Sequence, residues 1–222
     1  MCSARRTALQ SDDVRDIAAL AAAVTVVGMS FGALAGSAGV PWPLVVGMSV
    51  LVFAGGSQFL AVAVVAAGGA PVAAVAAGLL LNLRHLPFGL AIGEVVGRSR
   101  PSRLLGAHVL VDENVALTRA RGTGPRATAV YRACGAALFV GWNAGTVVGL
   151  LAGGAIPDPA VFGVDAAFPA ALLALLLPSL RERDARTVGL TAAVLALAAT
   201  PFLPAGVPVL VGLLALLTAV RR

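Results

Sequence analysis

From residue 16 onward the chain consists of long apolar blocks separated by short stretches rich in glycine, proline or arginine. The blocks cover residues 16–36, 44–67, 72–96, 131–154, 162–180, 188–203 and 207–220. Most approach the ~20 apolar residues that a helix needs to cross a bilayer. The pattern therefore predicts an all-α integral membrane protein of about seven spans. It forms a single transmembrane domain over residues 16–222, behind a polar tail of mixed charge at 1–15. Two blocks are broken, the second by FAGGSQF (53–59) and the third by NLRHLPFG (82–89). The segment 104–119 has a helical pattern but holds His108, Asp112, Glu113 and Asn114. It is too short and too polar to cross alone and falls in a connector, 97–130.

Composition agrees with this reading. Apolar residues make up 59% of the chain and charged ones 12%, against about 45–50% and 25% in soluble domains. The net charge of +6 comes from arginine alone. The arginines sit in loops at 97–103, 119–132, 181–186 and 221–222, which fits cytoplasmic anchoring and not a nucleic-acid patch. Counting back through three spans from those loops places the N-terminus outside, against Arg5, Arg6 and Arg15. A re-entrant second or third block would return it inside. Arg5 and Arg6 before an apolar run resemble a signal peptide, but 17–35 is long enough to span. Cys2 and Cys134 are too few for a disulfide framework or a zinc site. His85 and His108 lack metal-ligand spacing, so no metal or cofactor is expected.

Glycines recur every four residues at Gly28, Gly32 and Gly36, and again at Gly141, Gly145, Gly149 and Gly153. GMSFGALAG (28–36) and GTVVGLLAG (145–153) align over their whole length. Such stripes let helix backbones approach closely in lipid. Ordinary packing explains them, and so does an internal repeat. With the topology above, a repeat would make 16–96 and 131–203 inverted three-helix halves, an arrangement common in secondary transporters.

The chemistry concentrates at the two breaks. Gly55 and Gly56 cost about 2 kcal/mol of helix propensity relative to alanine. Free amides at a half-helix N-terminus can bind a carboxylate, with Ser57 and Gln58 beside them. Asn82, Arg84 and His85 fall near the centre of the third block, where Pro87 removes a helical hydrogen bond. An arginine at that depth costs at least about 2.5–3.5 kcal/mol, so it needs water, a partner or a function. Asp112 and Glu113 can receive an ammonium group, pair with Arg84 or carry a coupling proton; a solvated interfacial helix would also explain them. Asn143 and Asp165 are lone polar residues, the first a candidate for a bond between helices.

FAGGSQF, the RHLPFG run after Asn82, the acidic pair in VDENVALTRA and the GWNAGTVVG span (141–149) resemble the AzlC family of branched-chain amino acid permeases. The resemblance extends over roughly residues 15–220. It implies the large subunit of an exporter in the cytoplasmic membrane, acting with a small, separate membrane subunit of the AzlD type. Two departures loosen the substrate assignment. Pro87-Phe88 stand where Leu or Met and then Tyr are common, and Val115 stands where an aromatic often follows the acidic pair. A zwitterionic amino acid suits the residues: Gly55, Gly56 or Arg84 for its carboxylate, and Gln58, Asn82, Asp112 or Glu113 for its ammonium. Transport of another solute and a scaffolding subunit are the alternatives. A membrane enzyme would need a nucleophile–base set or metal cluster that the sequence does not offer.

Overall fold

The computed structural model describes residues 9–155, 177, 179–203 and 207–216, and among them there is helix and no strand. Helices α1 (Ser11–Ser37), α2 (Trp42–Leu51), α3 (Gly55–Ala66) and α4 (Pro71–Asn82) are followed by α5 (His85–Ala91) and α6 (Gly93–Val96). Next come α7 (Arg100–His108), α8 (Asp112–Ala120) and the long α9 (Pro125–Ala155). After a 3₁₀ turn at Ser179–Arg181, α10 (Arg183–Ala199) and α11 (Val207–Gly212) pair with each other. The expected span at 162–180, apart from its last residues, lies outside the described residues. So do Asp165, Cys2, Arg5, Arg6 and the final arginines.

Among the described residues, three helices are long and apolar enough to cross a membrane: α1, α4 continued into α5 (Pro71–Ala91), and α9. α4 and α5 act as one rod because Leu83 and Arg84, which join them, both keep right-handed helical dihedrals. Leu79, Leu83, Leu86 and Leu90 are exposed at helical spacing straight across the join, which is a lipid-facing stripe.

The α1–α9 seam is the main contact of the fold, and glycines make it. A Cβ on Gly28 would sit 2.7 Å from Trp142 O, and one on Gly32 would overlap Thr146 O. From the other side, Gly141 faces Thr25, Gly145 and Gly149 meet the Thr25 and Met29 carbonyls, and Gly153 faces Ala33. Gly36 is looser, with only Leu150 Cδ2 at 3.5 Å. Lipid gives no hydrophobic drive for association, so this backbone-to-backbone packing supplies it. The contacts advance in the same direction along both helices, so α1 and α9 run parallel. Inverted halves would need matching helices to run antiparallel, so the nine-residue glycine match between these two does not mark an inverted repeat.

Parallel packing also sets the end of the molecule at which α1 begins. Asp13, fully buried, receives hydrogen bonds from Arg121 Nε at 2.6 Å and from Arg126 Nε and Nη2 at 3.0 and 2.9 Å. Arg121 also binds Asp16. The beginning of α1 and the basic loop after α8 therefore lie at the same end of the molecule. Helix α1 starts at Ser11, five residues before the expected 16, because Gln10 and Asp13 form a capping box there.

The remaining correction is the second block, expected to cross. It is split in two: α2 and α3 have 10 and 12 residues, so each rises about 15–18 Å, half of a ~30 Å hydrocarbon core. α2 leaves the Ser37 end of α1 and runs against α9, with Ser49 bonded to Thr146 at 3.1 Å and Phe53 edge-on to Phe139. α3 pairs antiparallel with α4, Ser57 lying against Gly78 and Gly56 near Leu81. Beyond α4 the rod continues through α5 and α6 to the Ser11 end, where Val96 touches Gly106, whose carbonyl takes the Tyr131 hydroxyl at 2.7 Å. α4 thus comes from the Ser37 end and α3 returns to it. α2–α3 is a re-entrant hairpin whose tip lies mid-molecule.

The connector forms a second hairpin from the opposite end. The stretch 104–119, expected as one helix, is broken at Val109–Val111 into α7 and α8. α8 runs from Asn114, against Gly135, down to Arg121 beside Asp13. The two hairpin tips meet in the interior.

Candidate functional site

The α2–α3 tip is an opened helix. Val52–Ala54 leave the helical path, and Phe53 has φ +43°, a conformation costly for a bulky side chain. Two side chains close the wound. Gln58 Oε1 accepts from Ala54 N at 3.1 Å, and Ser57 Oγ donates to Ala54 O at 2.8 Å. Ser57 and the oxygen of Gln58 thus hold the break, while Gln58 Nε2 stays free of protein partners. α3 then starts at Gly55 and Gly56, whose amides are among those a helix leaves without an internal acceptor.

Arg84 lies against that helix start. A Cβ on Gly56 would be 3.2 Å from Arg84 Nη2, and one on Gly55 would be 3.0 Å from the Trp142 ring. Glycine at both positions lets the two side chains approach without displacement. Arg84 Nη1 pairs with Asp112 Oδ2 at 2.8 Å, from the first turn of α8. His85 Nδ1 donates to Asn82 O at 3.1 Å, which directs its Nε2 toward Asp112 Oδ1 at 3.9 Å, beyond hydrogen-bond range. The two breaks and the acidic pair therefore converge through Arg84.

On these residues five buried polar atoms bond to no protein group: Gln58 Nε2, Arg84 Nε and Trp142 Nε1 as donors, Asn82 Oδ1 and Asp112 Oδ1 as acceptors. Each would cost about 1–3 kcal/mol if nothing met it. Glu113 is half-buried on the next position of α8 and has no ion pair among the described residues.

Trp142, His108 and Asp13 were not among the sequence-derived candidates. Trp142 stacks on Phe31, with ring centroids 5.6 Å apart, and forms the wall behind Gly55; its place in GWNAG was the only available sign. Asn143 beside it bonds Phe139 O of its own helix at 2.8 Å and bridges no helices, correcting the expectation of an interhelical bond. An apolar groove between α7 and α9, lined by Leu105, His108, Tyr131 and Phe139, is separate from the polar cluster.

No curated protein and no solved structure matches the chain. The family model described as AzlC protein matches residues 19–156, a range that holds α1 from Ala19 onward, both hairpins, the polar cluster and the length of α9 through Ala155. The chain belongs to the AzlC family.

Proposed function

We propose that this chain is the substrate-binding subunit of a secondary transporter that exports branched-chain amino acids across the cytoplasmic membrane. The family ties it to membrane transport of that substrate class; the export direction, the substrate choice and an AzlD-type partner are part of the proposal. The basic loops at 97–103 and 119–132 set the orientation. The start of α1 is then cytoplasmic, α2–α3 enters from outside and α7–α8 from the cytoplasm.

One observation carries the reading: Arg84 sits against the start of α3, so two positive elements face each other, with Asp112 the carboxylate paired to Arg84. A substrate carboxylate bound by Arg84 and the Gly55–Gly56 amides relieves that repulsion. The substrate ammonium then meets Asp112 Oδ1 and Asn82 Oδ1. Leu81, Phe88 and Trp142 supply apolar surface for an aliphatic side chain. A coupling proton has two acceptors, His85 Nε2 facing Asp112 and the Glu113 carboxyl. A scaffold subunit would have no use for five unpaired buried polar atoms.

The test is flux of labelled leucine, isoleucine and valine in proteoliposomes, with and without the small partner subunit. Saturable flux, dependent on a proton gradient, is the expected result. Absence of flux for all three with the partner present would remove the substrate assignment.

A further inference from the structure

We infer that His108 is a positioning residue that locks the two hairpin tips together, so that a displacement begun at Asp112 reaches the α2–α3 break. The inference rests on the transport reading above. In an unbroken helix the carbonyl of Val50 would accept from Ala54 N. The break sends that amide to Gln58 Oε1 instead and leaves the Val50 carbonyl open. His108 Nε2, 58 residues away in sequence, donates to it at 2.9 Å. A carbonyl only accepts, so Nε2 carries a proton whichever charge state the ring holds.

The ring is also clasped between Phe53 and Phe139, with centroids 6.0 and 5.6 Å away. Phe53 is the residue forced to positive φ, so the strained position of one tip rests on the other tip. His108 and Asp112 are the two ends of one stiff turn. Asn114, fully buried, donates to Val109 O at 2.9 Å across that turn. Val109 packs against Gly135, where no Cβ would fit, and Leu110 against Gly89. A ligand that draws Asp112 from Arg84 therefore moves a rigid piece. His108 passes that movement to Val50–Phe53, directly before the Gly55–Gly56 amides that hold the other end of the same ligand.

The test compares His108→Gln with His108→Asn. The Gln amide nitrogen reaches the place of Nε2; that of Asn reaches only the place of Nδ1, short of Val50. Both variants are neutral, polar and of similar size, so a difference between them reports the bond. Leucine flux in proteoliposomes gives kcat and KM, and hydrogen–deuterium exchange in detergent reports the amides of 52–56. Loss of one net hydrogen bond corresponds to about tenfold. His108→Asn is expected to lower kcat by about that factor with KM within about twofold, and to speed exchange at 52–56 by a similar factor. His108→Gln is expected to stay near the wild type in both. Equal behaviour of the two variants, or wild-type kcat and exchange in His108→Asn, would overturn the inference. If the wild type carries no leucine, the transport reading fails, and the exchange comparison alone decides the role of His108 by the same criteria.

Discussion

Replacing Gly32 by alanine adds a single methyl group, and the seam between α1 and α9 has no place for it. The new Cβ would overlap Thr146 O and lie 2.8 Å from Leu150 N and 2.9 Å from Thr146 C. All three are backbone atoms and cannot rotate away. The helices must separate by about an ångström to restore ordinary contact, and overpacking of that kind costs about 1–3 kcal/mol. Gly36, one turn later on the same stripe, is the control. There a Cβ would meet only Leu150 Cδ2 at 3.5 Å, and alanine gains up to about 1 kcal/mol of helix propensity. Gly32→Ala makes the same propensity gain, so the two substitutions should differ by the clash alone, about 1–3 kcal/mol, or roughly 2–12 °C in melting temperature at 2–4 °C per kcal/mol. Thermal unfolding in detergent, followed by fluorescence-detected size exclusion at one heating protocol, measures the difference. Gly36→Ala should melt at or slightly above the wild type, with Gly32→Ala below both. Gly32→Ala melting as high as Gly36→Ala would refute the claim that backbone contact at the stripe holds the seam.

Other substitutions address the rest of the molecule. Asp13→Ala leaves Arg121 and Arg126 facing each other without their buried acid, and should cost about 3–5 kcal/mol; an unchanged melting temperature would show that the α1–α8 end is held by something else. Arg84→Lys should fold normally but transport at a reduced rate, because lysine keeps the charge without the planar fork; full activity would mean that geometry at Arg84 is unimportant.

The sequence revealed the chemistry more readily than the path of the chain. Gly-Gly and an arginine inside apolar blocks are penalised by lipid wherever they sit, so Gly55, Gly56 and Arg84 stood out before any coordinates. The glycine stripes likewise marked the seam, since few other uses exist for four-residue glycine spacing in a bilayer. Direction was harder. A block of 24 residues looks the same whether it crosses or turns back, and the difference lies in Phe53 at positive φ, which no residue type advertises. The orientation of α1 depended on Asp13, whose two arginine partners lie more than a hundred residues away. Its own neighbourhood, SDDVRD, reads as a solvated tail. His108 was invisible for a similar reason: its acceptor is a backbone carbonyl, and the break that frees it belongs to a different block.

The central claim is that Arg84 and the start of α3 hold one end of a zwitterion while Asp112 and Asn82 hold the other. Equilibrium binding of labelled leucine to the purified complex, in competition with leucinamide and 4-methylpentanoic acid, tests it most directly. Each competitor keeps the aliphatic side chain and lacks one of the two charges. Removing one partner of a charge-paired contact typically costs 2–5 kcal/mol, so each analogue should compete at least about 30-fold less well than leucine itself. Arg84→Ala should weaken leucine by a similar factor and abolish the advantage of leucine over leucinamide, while the penalty for losing the ammonium remains. Equal competition by leucine and either analogue in the wild type, or undiminished leucine binding in Arg84→Ala, would contradict the site.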